Sequence, residues 1–279
     1  MAETEHEIRK LTQEIVRLIA AGEVIERPAS VVKELIENSL DSGARHIEVK
    51  LINGGLTSVT VRDDGVGIPA HQVPRLLERH TTSKIKDEND LNAIITLGFR
   101  GEALYSIAAV SDLIISTRHK KEEAGTRLTS MSGEKKIGAI PWPFGTQVES
   151  MRLFHSTPAR RKFLRSSSAE FSRAAEVVQS YALAYPEITW ILEHNDRLTF
   201  NSPGTGNLMD AIIAVYGAET ARKMISVDFS EGGVRVTGAV SNLEITRSRR
   251  TDQSIFLNGR IIKDASISHA IERPYQPYL

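Results

Sequence analysis

The stretch that decides the fold runs from residue 28 to residue 69 and reads PASVVKELIENSLDSGARHIEVKLINGGLTSVTVRDDGVGIP. Its first part spaces apolar side chains as an amphipathic helix does, with a start near Pro28 and an end at Gly43. The next part alternates apolar and polar residues on both sides of the turn at 53–55, which is typical of a β-hairpin. The stretch therefore predicts a helix, a hairpin and a glycine-rich turn, in that order.

Working outward, the pattern predicts an α+β chain whose strands form a mixed sheet, because neighbouring hairpins outnumber strictly alternating strands and helices. Helices are predicted at 5–19, between 69 and 81, between 84 and 97, after 102, near 158–165, at 169–184, at 207–216 and from Asp264, and strands from 112, near 188–192, 197–200, 224–229, 233–241 and 254–258. Residues 202–206 are the best candidate linker. We expect two domains, 1–203 and 204–279.

The composition excludes several classes of protein. The 279 residues balance 35 basic against 35 acidic side chains and include no cysteine, so disulfides and thiolate metal clusters are excluded. No apolar run approaches the ~18 residues of a membrane span, and the first residues are charged rather than signal-like. We expect a soluble intracellular protein without a membrane partner, in which any nucleic acid is met by a local patch.

The helix at 28–42 carries the first candidate site. Glu34 and Asn38 lie four residues apart and therefore share one helix face. A carboxylate can act as a general base on water, and an amide oxygen is a suitable ligand for Mg²⁺. The alternative is that Glu34, Glu37 and Asp41 only decorate a solvated face of the helix.

The segment DDGVGIP at 63–69 is the second candidate. Gly65 and Gly67 allow a close backbone approach to a ligand, and residues 65–70 also match the dinucleotide fingerprint G-x-G-x-x-A. Two carboxylates before the first glycine would face a pyrophosphate unfavourably, whereas Asp63 suits an amine donor such as that of adenine. A plain turn between strand and helix is the alternative.

The segment LGFRGEAL at 97–104 is the third candidate. A glycine loop that opens a helix exposes main-chain N–H groups suited to phosphate, and Arg100 and Lys84 add positive charge. A tight connection between two helices is the alternative. The sequence contains no P-loop motif, no HExxH and no G-x-S-x-G, so those phosphate, zinc and serine chemistries find no support.

Two basic clusters are candidates for DNA contacts. Residues 152–176 hold six basic against two acidic side chains, and residues 245–264 hold five against two. Such patches can follow a DNA backbone without sequence specificity, or can simply be solvated faces.

Together, these motifs resemble the N-terminal ATPase region of the MutL family of DNA mismatch-repair proteins. The resemblance rests on the segments at 19–44, 63–69, 81–84 (TTSK), 97–104, 145–149 (GTQVE), 153–164 (LFHSTPARRKFL) and 256–260 (FLNGR). ENSLD with DxGxG alone would indicate only the wider superfamily of gyrase B, the large heat-shock chaperones and the sensor histidine kinases. GFRGEAL and TPARRKFL narrow it to MutL.

The resemblance implies a two-layer α/β sandwich with a mixed sheet of the GHKL type, followed by a ribosomal-protein-S5-like domain. It implies Glu34 as the general base, Asn38 as the Mg²⁺ ligand and Asp63 as the acceptor of the adenine amine. Gly67 and Thr146 would line the base pocket. The lid over the triphosphate would comprise Thr82, Ser83, Lys84, Gly98, Phe99, Arg100, Gly101, Glu102, Ala103 and Leu104.

The resemblance also implies partners. ATP, with Mg²⁺, would control dimerisation of the N-terminal region, with a second copy or a paralogue, and thereby a clamp around DNA. The expected DNA-facing residues are Arg161, Lys162, Arg247, Arg249, Arg250 and Arg260. A mismatch-recognition protein of the MutS type would be a further partner. The location would be cytoplasmic in a bacterium or archaeon and nuclear in a eukaryote.

Three departures from the family pattern bear on these expectations. Asp64 and Ser156 stand where the family usually has asparagine, and a downstream segment with a lysine that contacts the γ-phosphate has no match before Leu279. We therefore expect a fragment with weak ATPase activity. The alternatives are an ATP-gated binding clamp with negligible turnover and a gyrase-type subunit, against which GFRGEAL argues.

Overall fold

The computed structural model describes residues 12, 21–22, 24–79, 81, 97–98, 101–245 and 253–278. Its helices are α1 (Pro28–Asp41), α2 (Ala103–Val110), α3 (Pro158–Arg161), α4 (Ser167–Ala184), α5 (Leu208–Tyr216), α6 (Ala218–Arg222) and α7 (Ala265–Glu272). Its strands are β1 (His46–Ile52), β2 (Ser58–Asp63), β3 (Asp112–Arg118), β4 (Gly125–Met131), β5 (Glu134–Ile140), β6 (Gly145–Met151), β7 (Thr189–His194), β8 (Arg197–Pro203), β9 (Met224–Glu231), β10 (Val234–Ser241), β11 (Ile255–Leu257) and β12 (Arg260–Ile262). Short 3₁₀ turns occupy Asn53–Gly55, Val73–Arg75 and Arg273–Tyr278.

Within the described residues, eight strands form one mixed sheet in the order β5-β4-β3-β6-β2-β1-β7-β8. The pair β1–β7 is parallel and the other neighbours are antiparallel. Charged, exposed side chains at the start of β5 (Glu134, Lys135, Lys136) protect that edge from pairing with another chain. The predicted α+β class with a mixed sheet is confirmed.

Helix α1 packs on the hairpin of β1 and β2 because both bury their apolar sides in the same core. Ile47 and Val49 alternate on β1 and are fully buried, and so are Val32 and Ile36 on α1. Burying each such side chain contributes about 1.5–3 kcal/mol before the entropy of ordering is counted. Helix α4 packs beside α1 in the same layer. The polar side of α1 is thereby held over the end of β2.

The ends of α1 lie where the sequence predicts them. Pro28 occupies the first turn after an extended Arg27, and Gly43 follows the helix with a φ of +73°. Only glycine adopts this left-handed conformation without strain, so the chain can turn directly into β1. The predicted hairpin is confirmed as well, with Val49 opposite Val61 in the antiparallel register.

The helix predicted between 69 and 81 is wrong for the part that is described. Residues 70–79 form turns around the 3₁₀ segment Val73–Arg75, with bonds such as Arg75 N–H to the Gln72 carbonyl (3.0 Å). Pro74 explains the difference, because proline has no N–H and its ring clashes with the carbonyl of residue 70 in an α-helix. The helix predicted near 158–165 is also shorter, since α3 ends at Arg161. Apart from residues 12 and 97, the helices predicted at 5–19 and between 84 and 97 lie outside the described residues.

The predicted linker at 202–206 begins inside β8. Ser202 is buried and pairs with Trp190 of β7, so the strand continues to Pro203 before the chain leaves the sheet at Gly204. Beyond it come α5, α6, the separate hairpin β9–β10, the small hairpin β11–β12 and α7. The Tyr185 hydroxyl after α4 donates to the Gly259 carbonyl in the β11–β12 turn (3.1 Å). A domain boundary after residue 203 stays a prediction.

None of the helices in the described ranges combines the length and the apolar character needed to cross a membrane.

Candidate nucleotide-binding site

A cleft of about 1250 Å³ opens beside α1, between the glycine-rich turn at 63–69 and the start of α2. The structure brings together ten of the predicted site residues around it: Glu34, Asn38, Asp63, Gly67, Gly98, Gly101, Glu102, Ala103, Leu104 and Thr146. Four parts of the chain that are far apart in the sequence (α1, the turn at 63–67, the segment from Gly98 to Leu104, and Thr146) therefore meet in one concave site.

Helix α1 supplies one wall. Glu34, Asn38 and Asp41 follow one another at helical spacings of four and three residues, so they share the face that lines the cleft. Their side chains are half-buried rather than fully solvated. The interpretation of this face as a merely solvated one is therefore wrong. A carboxylate and an amide oxygen on one face can activate water and hold a hard cation.

Beside these residues, Glu37 is buried and belongs to a polar cluster with Tyr181 and the exposed Lys33. Tyr181 of α4 donates a hydrogen bond of 2.6 Å to Oε1 of Glu37, and the Lys33 ammonium lies 3.0 Å from the same oxygen. Lys33 also lies 3.8 Å from Glu34. Burial raises the pKa of the Tyr181 hydroxyl well above its usual value, so it remains protonated and acts as a donor. The cluster orients α1 against α4.

Asp63, the last residue of β2, lies at the floor of the cleft and is 9% exposed. The Ser39 hydroxyl donates to its Oδ2 (2.8 Å), and the Gly65 N–H donates to its Oδ1 (3.0 Å). Burial raises the pKa of the Asp63 carboxyl, against the lowering effect of hydrogen bonds from Ser39, Gly65 and Thr146. A carboxylate offers about four acceptor positions, so these bonds leave it able to accept from an amine.

Gly67 allows the main chain to pass close to this floor. It has a φ of +70°, and a Cβ there would lie 2.0 Å from the Arg118 carbonyl oxygen. Thr117 links the two sides of the pocket, since its hydroxyl accepts from the Ile68 N–H (2.9 Å) and lies 2.9 Å from the Thr146 hydroxyl. The turn is therefore a fixed, narrow wall rather than a plain connection.

Asp64 has a different task from its neighbour. Its Oδ1 accepts the N–H groups of both Arg45 and His46, at 2.7 and 2.9 Å, and so ties the start of β1 to the end of β2. Because a single oxygen makes both bonds, an asparagine carbonyl could replace it. The bonds at this position therefore suit either aspartate or asparagine and do not involve Asp63.

The described residues of the glycine loop, 97–98 and 101–104, line the other side of the cleft. The two carboxylate oxygens of Asp41 accept from the N–H groups of Leu97 (2.9 Å) and Gly98 (3.1 Å). Gly101 has a φ of +62°, and α2 begins after Glu102 without a side-chain cap. The first N–H groups of α2 thus meet no capping side chain, which suits an anion.

The remaining predicted residues fall into two groups. Thr82, Ser83, Lys84, Phe99 and Arg100, and likewise Arg247, Arg249 and Arg250, lie outside the described residues. Arg161 and Lys162 are exposed at the end of α3, and Arg260 is half-buried at the start of β12.

Several residues of the site were not predicted from the sequence. Ser39 and Asp41 act through hydrogen bonds to partners 24 and 56 residues away, and no local pattern announces such pairs. His71 and His119 also line the cleft. Helical spacing from Glu34 was the one available signal for Asp41, and it equally fits a solvated face.

Among the described residues, no group of three or more histidine, aspartate or glutamate side chains is arranged to hold a metal ion by itself. Mg²⁺ keeps several waters in proteins and binds through one or two protein oxygens plus substrate phosphates. Asn38, with Glu34 one turn before it, is one of the oxygen donors that line the cleft.

The fold and this cleft define a nucleotide-binding domain of the class shared by histidine kinases, DNA gyrase B and HSP90. The family model "Histidine kinase-, DNA gyrase B-, and HSP90-like ATPase" matches residues 25–144, and the model "DNA mismatch repair protein, C-terminal domain" matches residues 212–279. The chain is a relative of the DNA mismatch repair protein MutL and corresponds to its N-terminal ATPase region.

Individual MutL sequences and solved structures are also similar to this chain. The chain is 45% identical to MutL of Desulforamulus reducens over 92% of its length and 40% of that protein's, and 47% identical to MutL of Desulforudis audaxviator over 95% and 47%. A crystal structure of the N-terminal domain of a DNA repair protein superposes with a TM-score of 0.80 (26% identity, 94% of this chain and 82% of that one). The Aquifex aeolicus MutL ATPase domain complexed with ADP gives 0.69 (27%, 90% and 88%). The chain spans less than half the length of these curated relatives.

Proposed function

We propose that this chain binds and slowly hydrolyses Mg-ATP to ADP and phosphate as the ATPase region of a DNA mismatch-repair protein of the MutL type. The observation that carries the proposal is the position of Asp63. It is a buried carboxylate held by Ser39 and Gly65 at the floor of a cleft whose wall bears Glu34 and Asn38. The Aquifex aeolicus relative, solved with ADP, supports the nucleotide.

The base specificity follows from hydrogen-bond donors. Adenine presents an amine where guanine presents a carbonyl oxygen, and a carboxylate can only accept. Asp63, with Gly67 and Thr146 beside it, therefore accepts from adenine and repels guanine. Hydrogen bonds from Ser39, Gly65 and Thr146 already orient the Asp63 carboxylate, so binding of the base has less side-chain freedom to restrict.

Hydrolysis is assigned to the face of α1. Glu34 takes a proton from the attacking water, and Asn38 offers its amide oxygen toward the cation of Mg-ATP. Mg²⁺, when bound, neutralises charge on the phosphates. The N–H groups at the start of α2, together with Gly101, hold the phosphate chain in place. Thr82, Ser83, Lys84, Phe99 and Arg100 complete the proposed lid.

The ATP state would control N-terminal dimerisation, with a second copy or a paralogue, and the engagement of DNA and of a MutS-type protein. Exposed Arg161 and Lys162, with Arg260 and the arginines at 247–250, would contact the DNA backbone without sequence specificity. Bacterial relatives such as those of Desulforamulus and Desulforudis support a cytoplasmic location.

The test is equilibrium binding of Mg-ATP and Mg-GTP to the wild type and to Asp63→Asn. Asp63→Asn removes the carboxylate that accepts from the adenine amine, so it should weaken ATP binding about 10- to 100-fold. GTP should not bind to the wild type. If the wild type binds both nucleotides equally, or if Asp63→Asn binds ATP normally, the proposed base pocket is wrong.

A single-turnover measurement then separates an ATPase from a clamp. Conversion of bound ATP to ADP within minutes supports the enzyme, and slow turnover is expected for this chain. Bound ATP that persists for hours would favour the alternative, an ATP-gated binding module without significant hydrolysis.

A further inference from the structure

Asp41, the last residue of α1, accepts two main-chain hydrogen bonds that its position in the sequence does not predict. Its Oδ1 accepts from the Leu97 N–H at 2.9 Å, and its Oδ2 accepts from the Gly98 N–H at 3.1 Å. The two carboxylate oxygens thus hold two consecutive N–H groups at the start of the glycine loop. Hydrogen bonds to an ionised acceptor are stronger than neutral ones, so the pair is a firm attachment.

The position of Asp41 on α1 determines which two parts of the site these hydrogen bonds connect. Glu34, Asn38 and Asp41 share one face and line the same cleft. The helix that carries the two reacting side chains therefore also holds the start of the loop that faces them. Because α1 is fixed by its buried apolar side, the loop is anchored to a rigid element.

We propose that Asp41 is a positioning residue that fixes the register of the glycine loop, so that the N–H groups of Leu97 and Gly98 are committed to the protein and those from Gly101 onward are presented to phosphate. The inference rests on the proposed function, since it assigns a role within the same site. If Asp41 holds the start of the loop before ATP arrives, the loop is pre-organised. Less of the free energy of ATP binding is then spent on ordering it.

Asp64 provides a matched control for Asp41. Both aspartates accept two main-chain N–H groups, but Asp64 uses Oδ1 alone, for Arg45 and His46. Asparagine at 64 can therefore keep both bonds. Asparagine at 41 can keep one, and its amide N–H₂ would face the other donor. The same chemical change should thus be silent at one position and harmful at the other.

The experiment measures KM and kcat for Mg-ATP, and the Kd of Mg-ATP, for the wild type, Asp41→Asn, Asp64→Asn and Asp63→Asn. For Asp41→Asn we expect KM and Kd to rise about tenfold or more, with kcat at saturation within about threefold of the wild type, because Glu34 and Asn38 are untouched. Asp64→Asn should match the wild type. A merely structural role for Asp41 would lower the active fraction, and hence kcat, while KM stayed constant.

A second variant approaches the bond from the other partner. Gly98→Pro removes one of the two donated N–H groups and leaves the carboxylate intact, whereas Gly98→Ala keeps the N–H. Gly98→Pro should raise KM as Asp41→Asn does, and Gly98→Ala should do so less. Suppose that the wild type binds ATP and that Asp63→Asn binds it about 10- to 100-fold more weakly. If Asp41→Asn and Gly98→Pro then keep the wild-type KM, this inference is overturned and the proposed function stands. If the wild type itself fails to bind ATP, the proposed function fails first.

Discussion

The hydroxyl of Tyr181 and Oε1 of Glu37 are 2.6 Å apart and join α4 to the helix that carries the site, across 144 residues of sequence. Glu37 is 9% exposed and directly precedes Asn38. A buried carboxylate persists only where donors satisfy it, and here Tyr181 and Lys33 do so. The bond therefore stabilises the orientation of α1 as well as the fold.

Replacing Tyr181 with phenylalanine should lower the free energy of unfolding by about 1–3 kcal/mol, because a buried carboxylate loses a donor while the ring packing remains. Urea unfolding checks this. Tyr185→Phe is the matched control: Tyr185 is half-buried and donates to the neutral carbonyl of Gly259, which is also half-buried, so the loss should be smaller than for a bond to a buried carboxylate. Equal losses for the two variants would contradict the special role of the bond to Glu37.

Replacing Glu34 with glutamine should leave ATP binding nearly unchanged and slow hydrolysis about 10²- to 10⁴-fold, because the shape is kept and the base is lost. Single-turnover hydrolysis beside equilibrium binding measures both effects. Glu134→Gln, on the exposed edge strand β5, serves as the control for loss of one carboxylate. Normal turnover in Glu34→Gln would exclude Glu34 as the general base.

The raised pKa of Asp63 predicts a definite pH dependence of stability. Because the folded protein holds this proton more tightly than the unfolded chain does, ionisation above the raised pKa reduces the free energy of unfolding. The wild type should therefore gain stability relative to Asp63→Asn as the pH falls through the raised pKa toward the ordinary value of 3.8. Urea unfolding of both proteins between pH 8 and about pH 4 tests the sign. A difference that changes in the opposite direction would show that the Asp63 pKa is lowered instead.

Two glycines of similar conformation separate backbone strain from close approach. Gly67 and Gly133 have φ values of +70° and +88°, but a Cβ meets the Arg118 carbonyl at 2.0 Å in the first and nothing within 4 Å in the second. Gly133→Ala should cost about 1–2 kcal/mol of stability and spare ATP binding. Gly67→Ala should cost more and also abolish ATP binding. Thermal unfolding and nucleotide titration distinguish them, and equal behaviour would mean that Gly67 does not shape the pocket.

DNA binding should depend on the exposed cations after α3. Charge reversal of Arg161 or Lys162 should weaken binding of any duplex sequence and reduce the slope of log affinity against log salt by about one for each phosphate that the protein no longer neutralises. Lys136→Glu on β5 is the charge-matched control, since its side chain is 78% exposed and lies on the edge strand of the sheet. Binding that is insensitive to salt would argue against phosphate contacts altogether.

The local part of this molecule could be predicted from its sequence. Helix α1 and the β1–β2 hairpin follow from periodicity because one side of each is buried, as Ile36 and Val49 illustrate. Pro74 argues against an α-helix after residue 69, because proline has no N–H to donate, and the structure has a 3₁₀ turn there.

The non-local part could not be predicted in this way. Glu37 and Asp41 have the charge and spacing of ordinary surface residues on α1, and only their distant partners, Tyr181 and the N–H groups of Leu97 and Gly98, give them a role. Nothing in the spacing of one helix specifies which elements will pack beside it. The roles of Glu34, Asn38 and Asp63 were suggested by resemblance, and their shared cleft supports that suggestion.

The packing around Tyr181 also includes an intrinsic fluorescent probe, Trp190. Trp190 is fully buried, its ring centroid is 6.3 Å from that of Tyr181, and its indole N–H donates to the Tyr185 carbonyl (3.3 Å). The chain's other tryptophan, Trp142, is half-buried near Arg127. Replacing Trp142 with phenylalanine would leave Trp190 as the single tryptophan of the chain. The fluorescence of Trp190 then follows the end of α4, one turn from the bond to Glu37, without any attached dye.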